Sequence, residues 1–162
     1  MASHELSAHL REEVDYWAAK YPPEQKRSAL LGALREAQHE NQGYLTVGIM
    51  DAVAAYLGLP KIAVYEVASF YSMLEIEPVG RHSVSVCTNI SCMLCGADDI
   101  LAHIERKLDI KVGQSTADGR IYLKSEEECL AACCGAPMMM VDHKYYENLT
   151  TDKVDEILDA LD

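Results

Sequence analysis

The feature that most constrains this chain is the grouping of its six cysteines into two short stretches, VCTNISCMLCG and CLAACC. The first stretch holds Cys87, Cys92 and Cys95, and the second holds Cys129, Cys133 and Cys134. A chain of 162 residues buries about 70% of the surface that its unfolded state exposes, so it forms a hydrophobic core without covalent staples. We therefore expect these cysteines to serve metal binding or redox chemistry.

The N-terminal stretch MASHELSAHLREE gives no sign of a secretory signal, because it is charged almost from its start and lacks a continuous apolar run. We therefore expect a reducing, cytoplasmic setting. Disulfides seldom persist in such a setting, which again favours metal or redox chemistry for the cysteines.

The chain is strongly acidic, with 26 Asp and Glu residues against 14 Lys and Arg residues and a net charge of -12 at pH 7. Such a charge repels phosphate backbones and anionic lipid surfaces. The most apolar stretch, IMDAVAAYLGL, is interrupted by Asp51 and is shorter than the roughly 20 residues of a membrane-spanning helix. We expect no nucleic-acid partner and no direct membrane insertion.

The first half of the sequence has helical periodicity. Four segments carry apolar residues at helical spacing, and they run from Ser7 to about Lys20, from Pro22 to about Asn41, from Thr46 to Gly58, and from Pro60 onward. Between Glu75 and Arg81, Pro78 and Gly80 interrupt the pattern. We therefore predict a helical bundle over residues 1–78.

Residues 79–162 alternate strand and helix patterns. The predicted strands are HSVSVCT, RIYLKS, PMMMVD and a short edge strand KYYENL, and the predicted helices are Ala97–Leu108 and Thr151–Leu161. Ser125 to Glu128 have a capping-box pattern that predicts a brief helical turn. This order of elements predicts a small α/β domain.

Both cysteine groups lie beside these elements, on loops that can meet at one end of the sheet. Cys87 ends the first predicted strand, Cys92 begins the helix that follows, and Cys95 lies in the first turn of that helix. The first turn of a helix has free backbone N–H groups and the positive end of the helix dipole, which both favour anionic sulfur. Two pairs of thiolates from the two loops can therefore form a four-thiolate site for an iron–sulfur cluster.

Spacing alone leaves other chemistries open. A structural zinc site usually has two Cys-x2-Cys pairs, whereas here only Cys92 and Cys95 have that spacing. The same pair opens a predicted helix after a strand, as in thioredoxin-type dithiols. Cys87, Cys92 and Cys95 also match plant-type ferredoxin spacing, although the predicted helices are unusual for that fold. Rieske-type ligation is excluded because no cysteine is followed two positions later by histidine.

Two long runs carry a resemblance to a known family: YEVASFYSMLEIEPVGRHSVSVCTNISCMLCGAD and DGRIYLKSEEECLAACCGAPMMMVDHKYYENLT. They resemble the small 2Fe-2S subunit, known as the E subunit, of bacterial NADH:quinone oxidoreductase (respiratory complex I). The resemblance extends into the helical part around ENQGYLTVGIMDAVAAYLGLP. It implies an α/β chain with an N-terminal helical bundle followed by a thioredoxin-like 2Fe-2S ferredoxin domain, here residues 79–162.

The resemblance also implies one 2Fe-2S cluster per chain and a set of ligands for it. Matched onto this sequence, the ligands are Cys87, Cys92, Cys129 and Cys133.

Four positions near these ligands invite comparison with the family. Cys95 and Cys134 are not family ligands, and Ala131 stands where the family commonly has glycine. Ala136-Pro137 lies where thioredoxin-like folds often have a cis proline near the active site.

By the same resemblance, the chain is the electron-transfer subunit of NADH:quinone oxidoreductase, a translocase. It would exchange single electrons with FMN in a partner flavoprotein of the F type, which binds FMN and NADH. The sequence has no G-x-G-x-x-G motif or phosphate-binding loop, so we expect the hydride step in the partner and no catalysis by this chain alone.

The resemblance implies further complex I peripheral-arm subunits as partners and a cytoplasmic location peripheral to the inner membrane. Because the chain is acidic, we expect a low midpoint potential, on the order of -400 mV. The equivalent subunit of an NAD-linked hydrogenase or formate dehydrogenase remains an alternative. So does a thiol oxidoreductase acting through Cys92 and Cys95.

Overall fold

The structure is a computed structural model that describes residues 5–124 and 129–162. The chain divides into two compact units, one ending at Pro78 and the other beginning at Val79. The turn expected from the capping-box pattern at residues 125–128 lies outside the described residues. In the described part of the chain, no helix is both long and apolar enough to cross a membrane.

Residues 5–78 of the first unit form four α-helices and a 3-10 helix. Their bounds are α1 (Ala8–Ala18), the 3-10 helix (Pro23–Ala29), α2 (Leu30–Glu40), α3 (Val47–Leu57) and α4 (Lys61–Phe70). Local chemistry sets several of these ends: the side chains of Ser7 and Thr46 cap α1 and α3 by accepting backbone N–H groups, and Gly58 ends α3 at φ +67°.

The helices of the first unit pack their apolar faces around one core. Val14, Leu34, Val53 and Val64, one from each α-helix, have no solvent exposure. Gly32 of α2 allows close packing of the Trp17 ring, because a Cβ at residue 32 would lie 2.4 Å from that ring. The helices predicted for this part of the chain are therefore observed, and each α-helix turns an apolar stripe toward the common core.

The second unit contains a five-stranded mixed sheet with the strand order β2-β3-β1-β4-β5. The strands are β1 (His82–Val86), β2 (Gln114–Ser115), β3 (Ile121–Leu123), β4 (Met139–Val141) and β5 (Lys144–Tyr146). β1 runs parallel to β3, and the other pairings are antiparallel. The helices are α5 (Ile90–Leu94), α6 (Ala97–Leu108) and α7 (Thr151–Asp159).

The core of this unit joins the sheet to α6 and α7. Val84 in β1 and Leu123 in β3 pack in one cluster with Ile104 from α6 and Leu158 from α7, all without solvent exposure. β1 is the central strand, and its register with β4 places Val86 opposite Met139. The chain that leaves the end of β1 therefore emerges in the middle of the sheet, and Cys87 is its first residue.

Three local features differ from the sequence-based expectation. The helix expected to start at Pro22 and Pro23 is a 3-10 helix first, because Gln25 has non-helical angles (φ -111°, ψ 31°). The single helix expected after β1 is two helices, α5 and α6, because Gly96 adopts φ +90° between them. The two-residue strand β2 was not expected, since so short a segment carries no periodic pattern.

A histidine at the start of β1 makes stability depend on pH. The Nδ1 atom of His82 lies 2.6 Å from Oδ2 of Asp142, and its Nε2 atom lies 3.0 Å from the backbone oxygen of Asp162. The hydrogen bond to Asp142, with the smaller effect of Asp162, raises the pKa of His82. The folded state therefore favours the charged imidazole, so its stabilisation is complete below the unfolded pKa and is lost as pH rises through the raised folded pKa.

We expect the free energy of unfolding to fall by about 0.5 to 1 kcal/mol more in the wild type than in Asp142→Asn between about pH 6 and about pH 8. Asparagine tolerates the left-handed backbone of residue 142 (φ +47°) and keeps one oxygen to accept the Ser83 N–H, while the charged acceptor that faces His82 is removed. Urea denaturation of both proteins at the two pH values measures the difference. Equal pH dependence in both proteins would refute this assignment.

Candidate metal centre

The four cysteines expected as ligands reach one end of the second unit from three places in the fold. Cys87 follows β1 directly, Cys92 lies inside α5, and Cys133 begins a 3-10 helix that ends at Gly135. Cys129 lies in the loop before that helix. Cys87 and Cys92 are each 2% exposed, whereas Cys129 and Cys133 are exposed to solvent.

The thiols of these cysteines contact one another. The side chains of Cys92 and Cys129 are both close enough to the Cys87 sulfur to lower its pKa. Cys133 is close enough for its charge to raise the pKa of Cys92. The structure therefore brings together side chains from the Cys87–Cys92 stretch and from the Cys129–Cys133 stretch, which are far apart in the sequence.

Backbone N–H groups in the site are directed at sulfur. Burial opposes ionisation of Cys87, but hydrogen bonds from the N–H groups of Leu130 and Asn89, together with the neighbouring thiols, hold the pKa of Cys87 below its usual value. Met138 donates its N–H to the Cys92 sulfur. Sequence analysis missed these three donors because a backbone N–H has no residue-type signal.

The pKa values of the two buried thiols are shifted in opposite directions. Burial, together with the hydrogen bond and charge of Cys87, raises the pKa of Cys92 to about 11. Without a metal, Cys92 therefore keeps its proton at neutral pH, and Cys87 ionises more readily than Cys92. Binding a metal to both sulfurs has to displace the Cys92 proton.

The loop that carries Cys129 and Cys133 has two unusual backbone features. Ala131 has φ +58°, in the left-handed region that glycine adopts without strain, which gives a physical reason for the glycine common in the family at this position. The Ala136–Pro137 peptide bond is cis, as expected from the resemblance. Beyond it, the Met138 oxygen accepts a hydrogen bond from the Cys87 N–H at 3.1 Å, which ties this loop to the end of β1.

The remaining two cysteines border the site. Cys95 is the C-terminal cap residue of α5 and Cys134 follows Cys133, and both side chains are exposed. The placement expected for Cys92, near the start of the helix that follows the first strand, agrees with its position as the third residue of α5. The placement expected for Cys95, in the first turn of that helix, is wrong, because Cys95 is the C-terminal cap of α5 and the left-handed Gly96 separates α5 from α6.

The donor set fits a two-iron cluster. Soft thiolates bind iron–sulfur clusters, and a 2Fe-2S cluster takes two cysteines on each iron. Within residues 5–124 and 129–162, no three His, Cys, Asp or Glu side chains are arranged around one point that could hold a single metal ion. The four cysteines expected as ligands supply the number of thiolates that such a cluster needs.

Comparison with known proteins decides the family. Residues 14–162 match the family described as thioredoxin-like [2Fe-2S] ferredoxin. The chain belongs to this family. The expected α/β fold, with its thioredoxin-like 2Fe-2S domain, is thereby confirmed.

Several relatives of this thioredoxin-like ferredoxin share most of its length. The E subunit of NADH-quinone oxidoreductase in Rickettsia conorii is 44% identical over 153 residues, which are 94% of this chain and 89% of the relative. A second E subunit of NADH-quinone oxidoreductase, in Rhizobium meliloti, is 42% identical over 151 residues, which are 93% of this chain and 88% of the relative. The resemblance to the E subunit is confirmed.

A solved structure shares the fold at greater distance. The crystal structure of an NAD+-reducing [NiFe]-hydrogenase in the air-oxidized state matches with a TM-score of 0.66 at 20% identity. The match covers 78% of the thioredoxin-like ferredoxin but only 22% of the hydrogenase chain. At this identity the likeness concerns the fold alone.

Proposed function

We propose that this chain is an electron-transfer subunit of NADH:quinone oxidoreductase and holds one 2Fe-2S cluster on Cys87, Cys92, Cys129 and Cys133. The observation that carries the proposal is the contact of the Cys87 thiol with both Cys92 and Cys129, which joins the two cysteine groups. It is supported by relatives at 42% to 45% identity that are named as E subunits of NADH-quinone oxidoreductase.

The residues of the site differ in their role: some stabilise the sulfur ligands, and others leave the metal site accessible. The N–H groups of Leu130, Asn89 and Met138 stabilise negative charge on the Cys87 and Cys92 sulfurs. Buried Cys87 and Cys92 would hold the cluster from the protein interior, and exposed Cys129 and Cys133 would hold it near the surface. When bound, the cluster supplies one-electron chemistry, which needs close approach to a redox partner.

The surface beside Cys92 supports a protein partner. Ile90, Met93 and Leu94 of α5 are 66%, 45% and 76% exposed, so apolar side chains lie in solvent next to a proposed ligand. We infer that the flavoprotein subunit that binds FMN and NADH covers this surface, and that the FMN there exchanges single electrons with the site. The assembly would lie in the cytoplasm, in the peripheral arm of complex I at the inner membrane.

The rival dithiol function has less support. An attacking thiol in an oxidoreductase is accessible and has a lowered pKa. Cys92 is 2% exposed, and burial raises its pKa to about 11. The first cysteine of the Cys92–Cys95 pair is therefore a poor nucleophile.

Reconstitution with the flavoprotein subunit tests the proposed electron exchange. We expect the EPR signal of the dithionite-reduced 2Fe-2S centre, after removal of excess dithionite, to disappear on addition of NAD+ only when the FMN-loaded flavoprotein is present, because a centre near about -400 mV gives up its electron to NAD+. A flavoprotein without FMN is the matched control and should leave the signal in place. Persistence of the signal with the loaded partner would contradict the exchange with FMN but not the cluster.

A further inference from the structure

A carboxylate that the proposed function does not use lies against the ligand loop. Glu147 follows β5, and its side chain covers Gly135 at the end of the 3-10 helix that begins with Cys133. A Cβ atom at residue 135 would lie 2.5 Å from each of the Cβ, Cγ and Cδ atoms of Glu147. Gly135 therefore leaves the space in which the glutamate side chain lies.

Backbone hydrogen bonds hold Glu147 in this position from both sides. The N–H of Asn148 donates to the Gly135 oxygen at 2.7 Å, and the N–H of Leu149 donates to the Pro137 oxygen at 2.9 Å. The Nζ atom of Lys153 donates to the backbone oxygen of Glu147 at 2.5 Å. The residue is thus fixed to the ligand loop rather than merely near it.

The Glu147 side chain lies beside the loop that carries Cys133. Gly135 is two residues from Cys133, so their Cα atoms are at most about 7.6 Å apart. Glu147 itself is exposed. Among the described residues, none of the ion pairs within 4.0 Å includes Glu147, since Lys153 contacts its backbone oxygen instead.

We propose that the negative carboxylate of Glu147, held in place beside the ligand loop, lowers the reduction potential of the cluster. This inference rests on the proposed cluster at Cys87, Cys92, Cys129 and Cys133. A reduced cluster carries one more negative charge, so a nearby carboxylate disfavours electron uptake. The partly solvated path between the two charges weakens this effect without removing it.

The test is a charge series at residue 147, measured by EPR-monitored redox titration of the full chain at low salt. We expect Glu147→Gln to favour the reduced form about threefold, which raises the midpoint by about 30 mV at 59 mV per tenfold change. Glu147→Lys, which changes the charge twice as much, should favour it about ninefold, or about 55 mV. High salt should shrink both shifts.

Glu156→Gln is the matched control, because Glu156 is an exposed carboxylate of α7 whose loss changes the net charge equally. We expect it to move the potential by less than a third of the Glu147→Gln shift. Equal shifts from Glu147→Gln and Glu156→Gln, or no larger shift for Glu147→Lys, would overturn the proposal.

Iron content distinguishes a failure of the proposed cluster from a failure of the proposed effect of Glu147. If variants at residue 147 lose their iron while the wild type keeps it, Glu147 stabilises the ligand loop and does not set the reduction potential of the cluster. Absence of iron from the wild type would refute the cluster itself, and the proposed role of Glu147 would fall with it.

Discussion

Cys129→Ser is expected to purify with its 2Fe-2S absorption lost and its iron content near zero, whereas Cys95→Ser keeps both. Cys129 contacts the Cys87 sulfur from the far loop, so its thiolate joins the two halves of the site. A serine hydroxyl stays protonated at neutral pH and is a poor substitute for a thiolate ligand. Cys95 is exposed at the end of α5, where its loss removes no proposed ligand.

Anaerobic purification, visible absorption and iron analysis measure both variants side by side. Far-UV circular dichroism verifies that each variant is folded. Loss of the cluster from Cys95→Ser together with its retention in Cys129→Ser would show that the ligand set is wrong. Cys134→Ser extends the comparison to the second group, because Cys134 is exposed beside Cys133 and should also be dispensable.

Gly80→Ala is expected to lower the free energy of unfolding by about 3 kcal/mol. A Cβ at residue 80 would lie 2.5 Å from the carbonyl carbon of Ile121 and 2.7 Å from the backbone nitrogen of Tyr122. These are backbone atoms of β3, which cannot rotate away as a side chain does. The Gly80 N–H also donates to the Ser115 Oγ at 3.0 Å, and the added methyl group strains that contact.

Urea denaturation measures this loss, and Arg81→Ala is its matched control. Arg81 is the exposed neighbour of Gly80, and its replacement should change stability by less than about 0.5 kcal/mol. A Gly80→Ala protein as stable as Arg81→Ala would show that the chain does not pass this close to β3.

Much of the fold could be predicted from local patterns because local chemistry sets the ends of the elements. α6 occupies Ala97–Leu108 as predicted, and its strongly one-sided apolar stripe explains why. α3 begins after the cap Thr46 and ends at Gly58, as the sequence indicates. Long periodic segments with clear caps carry enough information in their own residues.

The parts that escaped prediction depend on backbone geometry or on distant partners. α5 was not predicted as a helix of its own, because only the left-handed φ of Gly96 separates it from α6. β2 exists because Gln114 and Ser115 pair with Leu123 and Tyr122, which lie in another strand. Neither a positive φ nor a two-residue pairing has a periodic pattern in the sequence.

In the candidate site, too, some features could be predicted from the sequence and others depend on tertiary contacts. Cysteine spacing indicated a four-thiolate site but left zinc, dithiol and ferredoxin-like arrangements open, and the ligand pairs came from family resemblance. The N–H donors of Asn89, Leu130 and Met138 and the glutamate packed on Gly135 depend on tertiary contacts. Such groups determine how a site behaves, yet their residue types carry no motif.

The most direct test of the central claim is to count iron, acid-labile sulfide and zinc in anaerobically purified protein. We expect two irons and two sulfides per chain, with no stoichiometric zinc, as for a thioredoxin-like [2Fe-2S] ferredoxin. Stoichiometric zinc, or no metal in carefully handled protein, would contradict it.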